Sequence, residues 1–502
     1  MTSVLCFFLT LVAQAQTGTT IESPVARQLE DLATSLRATQ QQVEQSLQQI
    51  QRMQAEIDRL HAQLAAKETP SPTSPATMPQ PIPTAAEVTE EVSEDLDVLK
   101  SAAAQQQQTK VESSSRLPVR LTGLVLFNAF VNRGTVDQID LPSAALIPNT
   151  PLDPIPSGNT STGASLRQTI LGLEGTGPVL GGAQTSARVS MDFFGGITSS
   201  AASGPAGIVR LRTAAITAAW AHDTLEASYD TPLISPLSPE SFATVALPSL
   251  AWSGNLWTWA PQFAWKHSVA LRGKDRNLSF QLGLLDPQTL NVANIVTNVA
   301  NGVGEASGWP SYETRLSFSS GRENHRFELG VGGLYGRQDY TGNQQVDTWA
   351  TTADWRVPFG DRWHLSGELY RGRGLGDLGG GAYRNVVTYN FPNSAATYLR
   401  ALDAEGGWLQ WSHRFSSILN ANASIGQDSA SGNEIRSSVP LSSITTDPLF
   451  GYARNRTIVG NVIFRPWSSI IVSPEYRRLQ SWLTSAGSNR ANIYTLTFGY
   501  QF

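Results

Sequence analysis

The chain has one cysteine, Cys6, in 502 residues, which excludes a disulfide framework and thiolate metal sites in whatever follows an export signal. Its six histidines, His61, His222, His267, His325, His364 and His413, show no HxH or HxxxH spacing, so neither a resident metal nor another cofactor is expected. Charge is scarce, at 15% of residues, where soluble chains carry about 25%. No run of about eighteen apolar residues occurs, which excludes a bundle of membrane-spanning helices. The balance of 36 basic and 41 acidic side chains, net −5, argues against a nucleic-acid partner. What remains is a long chain with 42 glycines, 40% hydrophobic residues and a mean hydropathy of −0.18. A membrane β-barrel accommodates this, because its strands alternate lipid-facing and water-facing residues and average out in hydropathy.

The N-terminus points to export. Val4 to Ala13 is a short apolar core, followed by Ala13-Gln14-Ala15, which has the small-x-small form of a signal-peptidase site, so residues 1–15 read as a signal peptide. From Val25 to Ala66 the chain reads as a heptad helix. Leu29, Leu36, Val43, Ile50, Ile57 and Leu64 fall every seventh residue, with Leu32, Thr39, Ser46, Met53 and Leu60 as the second series. A stripe this narrow buries itself against copies of itself, so a coiled coil is expected, with Thr39 and Ser46 leaving strand number open. Residues 67–116 form a linker with a Pro-rich part, Thr69 to Thr84, and an acidic part, Glu87 to Asp97. Residues 1–116 carry 8 basic and 14 acidic side chains and residues 117–502 carry 28 and 27, so the negative charge belongs to the N-terminal arm.

From Leu117 the periodicity becomes two. In Ala183 to Phe193, Ala183, Thr185, Ala187, Val189, Met191 and Phe193 share one face, and Gln184, Ser186, Arg188, Ser190 and Asp192 the other. A one-residue slip would push Arg188 into hydrocarbon at a cost of about 2–4 kcal/mol at mid-bilayer, so the pattern fixes the register. About sixteen such segments fill residues 117–502, an even number that suits a single-chain bacterial barrel of antiparallel strands. Their links alternate between short turns, such as His222-Asp223 and Phe415 to Ser417, and long loops, such as Thr231 to Pro261 and Arg371 to Glu405. In outer-membrane barrels the short turns face the periplasm, which would place the N-terminal region there too. The chain ends in YTLTFGYQF, with Tyr494, Leu496, Phe498, Tyr500 and Phe502 on one face. An aromatic-rich final strand ending in Phe resembles the signal by which outer-membrane barrels are recognised for insertion.

Several stretches resemble the trimeric porin superfamily, and within it the DcaP-like porins. They are LRQTILGLEG (Leu166 to Gly175), ARVSMDFFGG (Ala187 to Gly196), the Pro-, Ser- and Trp-rich Ser235 to Phe263, GGWLQWSHRFSS (Gly406 to Ser417) and IVSPEYRR (Ile471 to Arg478). The resemblance implies a sixteen-stranded barrel behind a periplasmic coiled coil, a homotrimer with three pores in outer-membrane lipid, and a preference for small anionic solutes such as dicarboxylates.

A channel needs no catalytic pair; its chemistry lies in the charge on its inward face and at its narrowest point. Alternation turns Arg188, Arg210, Arg212, Arg315 and Arg356 inward, with Arg414 and Arg477 as further candidates, and the acids Asp192, Glu313, Glu328, Asp354, Glu368 and Glu475. Arginine suits a carboxylate because its planar fork donates two parallel hydrogen bonds. The competing reading is that inward Arg and Asp pair only to satisfy a polar wall. The loop Thr231 to Pro261 holds Trp252, Trp257 and Trp259, four of its prolines precede them, and Glu240 is its only charge. So apolar a loop is expected to fold into the barrel, with Glu240 near the pore. Two other functions compete with a porin. One is a structural barrel tethered to peptidoglycan by its coiled coil. The other is a hydrolase using His364 and Ser366, which lie about 7 Å apart on one strand with no third member evident.

Overall fold

The computed structural model describes residues 119–146, 160–196, 207–272, 275–286, 302–321, 325–340, 342–394, 396–438, 452–484 and 487–502. The expected signal peptide, coiled coil and linker lie outside the described residues. The barrel begins with β1 (Val119–Arg133), β2 (Thr160–Ser165), β3 (Ile170–Leu180), β4 (Ala183–Asp192), β5 (Arg210–Ala219) and β6 (Asp223–Asp230). It continues through β7 (Ala260–Ala270), β8 (Arg276–Leu285), β9 (Ser311–Ser320), β10 (Phe327–Tyr340), β11 (Gln344–Phe359) and β12 (Trp363–Arg373). After a separate hairpin, β13 (Val386–Asn390) and β14 (Thr397–Ala401), come β15 (Asp403–Ser416), β16 (Leu419–Ala430), β17 (Tyr452–Trp467), β18 (Ile470–Leu483) and β19 (Ser488–Gln501). Neighbours pair antiparallel, and β1 pairs with β19, so the sheet closes on itself.

Seventeen strands make this sheet but only sixteen staves. Asn128 to Arg133 of β1 pair with β2, and Val119 to Leu124 pair with β3, so β2 and β3 are two halves of one stave interrupted at residues 166–169. The expected sixteen-stranded antiparallel barrel is therefore the fold observed. The sequence had Arg371 to Glu405 as one long loop; the structure carries β12 on to Arg373 and folds β13 and β14 into a ribbon within it.

Burial is inverted relative to a water-soluble sheet. On β9, Glu313, Arg315, Ser317 and Ser319 are buried while Tyr312 and Leu316 are exposed, and Tyr494, Leu496, Phe498 and Tyr500 on β19 all lie open, as does Phe502 just after it. A surface this apolar is stable only in lipid. Aromatic contacts gather toward the short-turn end, where Trp363 stacks on His413 with ring centroids 3.6 Å apart and Phe359 on Trp411 at 5.8 Å. At the other end Tyr476 meets Tyr494 at 5.3 Å. Two such belts mark the levels at which hydrocarbon gives way to headgroups. Closure is sealed where Gly123 and Phe502 exchange backbone hydrogen bonds of 3.0 Å.

Candidate functional site

The inward face is where solutes would meet the chain, and the loop between β6 and β7 dominates it. Ile234, Ala246, Ser253 and Asn255 are each at most 1% exposed, so the loop lies inside the barrel rather than above it. Wall residues hold it at successive stations. Glu313 on β9 accepts from the Leu233 N–H at 2.6 Å, Thr352 on β11 donates to the Ile234 carbonyl at 2.7 Å, and Glu368 on β12 accepts from the Ser235 hydroxyl at 2.9 Å. Farther round, Gln410 on β15 accepts from the Glu240 N–H at 2.8 Å and Glu475 on β18 from the Ser241 hydroxyl at 2.5 Å. Gly254, at φ +100°, lies so close to the wall that an added Cβ would stand 2.1 Å from the Gly407 carbonyl oxygen.

The interruption between β2 and β3 completes this bracing. Freed from the ladder, the Gln168 side chain donates to the Ala243 carbonyl at 2.9 Å and accepts from Val245 N–H at 2.7 Å and Ala246 N–H at 3.1 Å. Thr169 Oγ1 accepts from the Leu126 N–H at 3.1 Å and so satisfies a β1 donor that the missing strand leaves open. Arg167 donates to Asp140 at 2.8 Å and lies over the Phe194 ring at 4.1 Å.

Two further loop segments enter the upper lumen. Asn455 on β17 donates to the Ser143 carbonyl at 2.8 Å and Arg477 on β18 to the Pro142 carbonyl at 3.0 Å, which fixes the start of the loop after β1. Asp428 on β16 accepts from Gly381 N–H at 2.9 Å and Ala382 N–H at 2.6 Å, fixing the loop after β12. Between these loops lies a cavity of about 610 Å³ lined by Asp140, Arg167, Phe194, Arg210, Trp252 and Trp257, among others. Trp252 stacks on Tyr383 at 5.5 Å and meets Trp257 edge-on at 5.1 Å.

The charged residues expected to face inward do so, in three different settings. Arg315 is buried at 5% side-chain exposure, forked onto Asp354 at 2.6 and 3.0 Å and onto Glu328 at 3.1 Å. Arg210 is likewise forked onto fully buried Asp192 at 2.8 and 3.0 Å, while Arg212 donates to the Val245 carbonyl at 2.6 Å and both guanidiniums lie over Trp259. These serve the wall and its loop, as does Glu313. Arg188 differs, because its side chain is 47% exposed while paired to Asp230 at 3.0 Å and Glu226 at 3.6 Å. Glu240 is also open, at 42% exposure, 3.9 Å from Arg465. Arg356 is exposed and has no ion pair among the described residues; Arg414 on β15 shares that condition. Between them, His364 on β12 feels the charge of both. His364 has no carboxylate partner among the described residues, and Ser366 beside it is buried in the wall. No cluster of three His, Cys, Asp or Glu is set to hold a metal among those residues.

Residues that the sequence reading passed over are Arg167 and Gln168, which it gave only as part of the stretch Leu166 to Gly175, and Asp140 and Tyr383, which sit in loops without periodicity. No family model matches the sequence, and no curated protein matches it. Among solved structures the chain is similar to the outer membrane channel DcaP of Acinetobacter baumannii, at 15% identity and a TM-score of 0.56, over 78% of this chain and 99% of that one. OprB of Pseudomonas putida matches at 11% identity and a TM-score of 0.44, over 76% of this chain and 94% of its own. OmpT of Vibrio cholerae matches at 9% and 0.44, over 78% and 100%. At these identities the likeness is one of fold, and the fold shared with the DcaP channel is the one the sequence resemblance implied.

Proposed function

We propose that the chain is an outer-membrane porin through which small hydrophilic solutes diffuse passively, with a preference for anions of the dicarboxylate kind. The carrying observation is a closed barrel with an apolar outside and a polar inside, narrowed from within by a loop that the wall braces at many points. Among the described residues its interior brings together no nucleophile with a base and orienting acid, and a passage of this sort works through shape and charge. The anion preference rests on Arg356 and Arg414, which flank His364 near the short-turn end without carboxylate partners among the described residues. A guanidinium not already engaged can offer both its parallel donors to a passing carboxylate. The homotrimer rests on the six-heptad stripe of residues 25–66 together with the resemblance, and that same segment would lie in the periplasm.

Single-channel recording in planar bilayers under a salt gradient tests the proposal. Open steps in groups of three with a reversal potential on the anion side, shifted by added dicarboxylate, are expected. A silent trimer would leave the peptidoglycan tether as the function, and a cation-side potential would remove the anion preference.

A further inference from the structure

The cavity of about 610 Å³ at the long-loop end has a lining unlike the arginine-rich stretch near the short turns. Phe194, Trp252 and Trp257 are each partly buried and pack against the buried side chains of Leu141, Ala246 and Leu247, so three aromatic rings share one foundation. Gly195, Gly196 and Gly379 stand in the same lining and put no side chain into the space beside the rings. The volume falls within the roughly 300–1,000 Å³ of ordinary small-molecule sites, in which apolar walls carry a few convergent polar groups.

The polar groups here come as acid beside base. Arg167 donates to Asp140 at 2.8 Å, and Arg210 to Asp192 at 2.8 and 3.0 Å. Pairing does not seal them, because 13% of the Arg167 side chain, 10% of Asp140 and 25% of Arg210 stay accessible. Asp137 and Asp377 also line the cavity, so three carboxylates stand there against two guanidiniums. A carboxylate solute would therefore meet engaged arginines and an excess of acid. A simple cation would meet Arg167, whose guanidinium already lies 4.1 Å over the Phe194 ring, and Arg210 at 5.5 Å from the same ring. A pair of neighbouring hydroxyls suits the arrangement better than either ion. One hydroxyl donates to the carboxylate while the next accepts from the guanidinium, and neither has to break the ion pair.

We propose that this cavity is a binding subsite for a neutral polyhydroxylated ring, a single sugar residue in its pyranose form. The C–H bonds on a pyranose face are weakly positive and lie well on the negative face of an aromatic ring, while the hydroxyls around its edge reach the Arg–Asp pairs. The inference rests on the porin reading for the cavity's place on the path of a solute. Binding itself is measured without conduction, so the two readings can fail separately.

The test uses the full chain in a detergent without a sugar headgroup, titrated with glucose and followed by saturation-transfer NMR. Saturating the protein's aromatic protons should reach the ring C–H protons of glucose. Sorbitol, whose hydroxyls lie on an open chain, should receive little. Trp257 Nε1 has no hydrogen-bond partner among the described residues, so W257L removes a ring without leaving a bonded group behind. It should bind glucose about three- to tenfold more weakly, the worth of one aromatic face, whereas W257F, which keeps a ring, should bind much as the wild type does. Equal affinity of W257L and wild type would overturn the proposal, and so would equal transfer to sorbitol and glucose. Displacement of glucose by equimolar succinate would give the cavity to anions, and displacement by equimolar choline would give it to cations; either result would also overturn the proposal. If the variants failed to fold, a wild type whose aromatic protons passed no saturation to glucose would still count against the site.

Discussion

Arg315 and Arg356 are both inward arginines of the same wall, and Arg315 reaches Asp354, only two residues before Arg356 on β11. Alternation treats them alike, because it reports which face a side chain occupies and nothing about its partner on the next strand. The structure separates them by consequence. Removing Arg315 would strand Asp354, which is 1% exposed, as an uncompensated buried charge. Breaking a buried pair in this way costs about 3–5 kcal/mol, so R315Q should lower the unfolding temperature in detergent markedly while leaving the reversal potential near that of the wild type. R356E has no buried partner to strand. It should leave unfolding unchanged and move the reversal potential toward cations, and R188E should act in the same direction because Arg188 is open to the lumen as well as paired. A reversal potential that responded to R315Q more than to R356E would show that the free arginines do not govern passage.

At the scale of elements, the loop after β6 was legible because its composition contradicts exposure: prolines, tryptophans and a single charge make a poor water-facing loop. The break at residues 166–169 was not legible. LRQT has no glycine or proline to signal an interruption, and the reason for it is a long-range one, the demand of Val245 and Ala246 for acceptors. That the loops after β1 and β12 turn into the lumen was missed for the same cause, since their anchors Asn455, Arg477 and Asp428 are ordinary inward strand residues until a loop meets them. G254V tests the bracing. A branched side chain would collide with the Gly407 backbone at a φ that only glycine adopts easily, so the loop should leave the wall, with faster proteolysis within 231–259 and larger, noisier conductance steps. The loop after β1 adds a pH dependence. Burial holds the Asp137 carboxyl above the usual carboxylate range, against the opposing hydrogen bonds from the Ser143 hydroxyl and the Ala144 and Ser143 N–H groups. The folded loop thus binds that proton more tightly than the unfolded chain. Its contribution is fully present below about pH 3.9, the ordinary aspartate value, and is lost as pH rises through the raised value. Hydrogen exchange at residues 137–146 should accordingly speed up with rising pH beyond its intrinsic rate, and D137N should abolish that excess.

For the whole molecule, the number and order of staves could be read from the chain because a barrel wall has only two environments, lipid and lumen, and each strand reports both in turn. The heptad stripe of residues 25–66 is equally regular in sequence but carries a different kind of information: on the proposed reading it would need other copies, whereas the wall from β1 to β19 closes on itself through the Gly123 and Phe502 backbone pairs. Closure and assembly are therefore separable. Deleting residues 25–66 should leave the barrel folded, with the same heat-dependent shift in electrophoretic mobility and the same conductance per open step, because no stave is removed. The proposed trimer should dissociate at lower temperature, because the six heptad layers proposed to associate would be gone. Electrophoresis of unheated and stepwise-heated samples, run beside bilayer recording of the same preparation, measures both. A changed conductance per step would show that the N-terminal segment shapes the pore, and an unchanged dissociation temperature would show that its heptads do not hold the copies together.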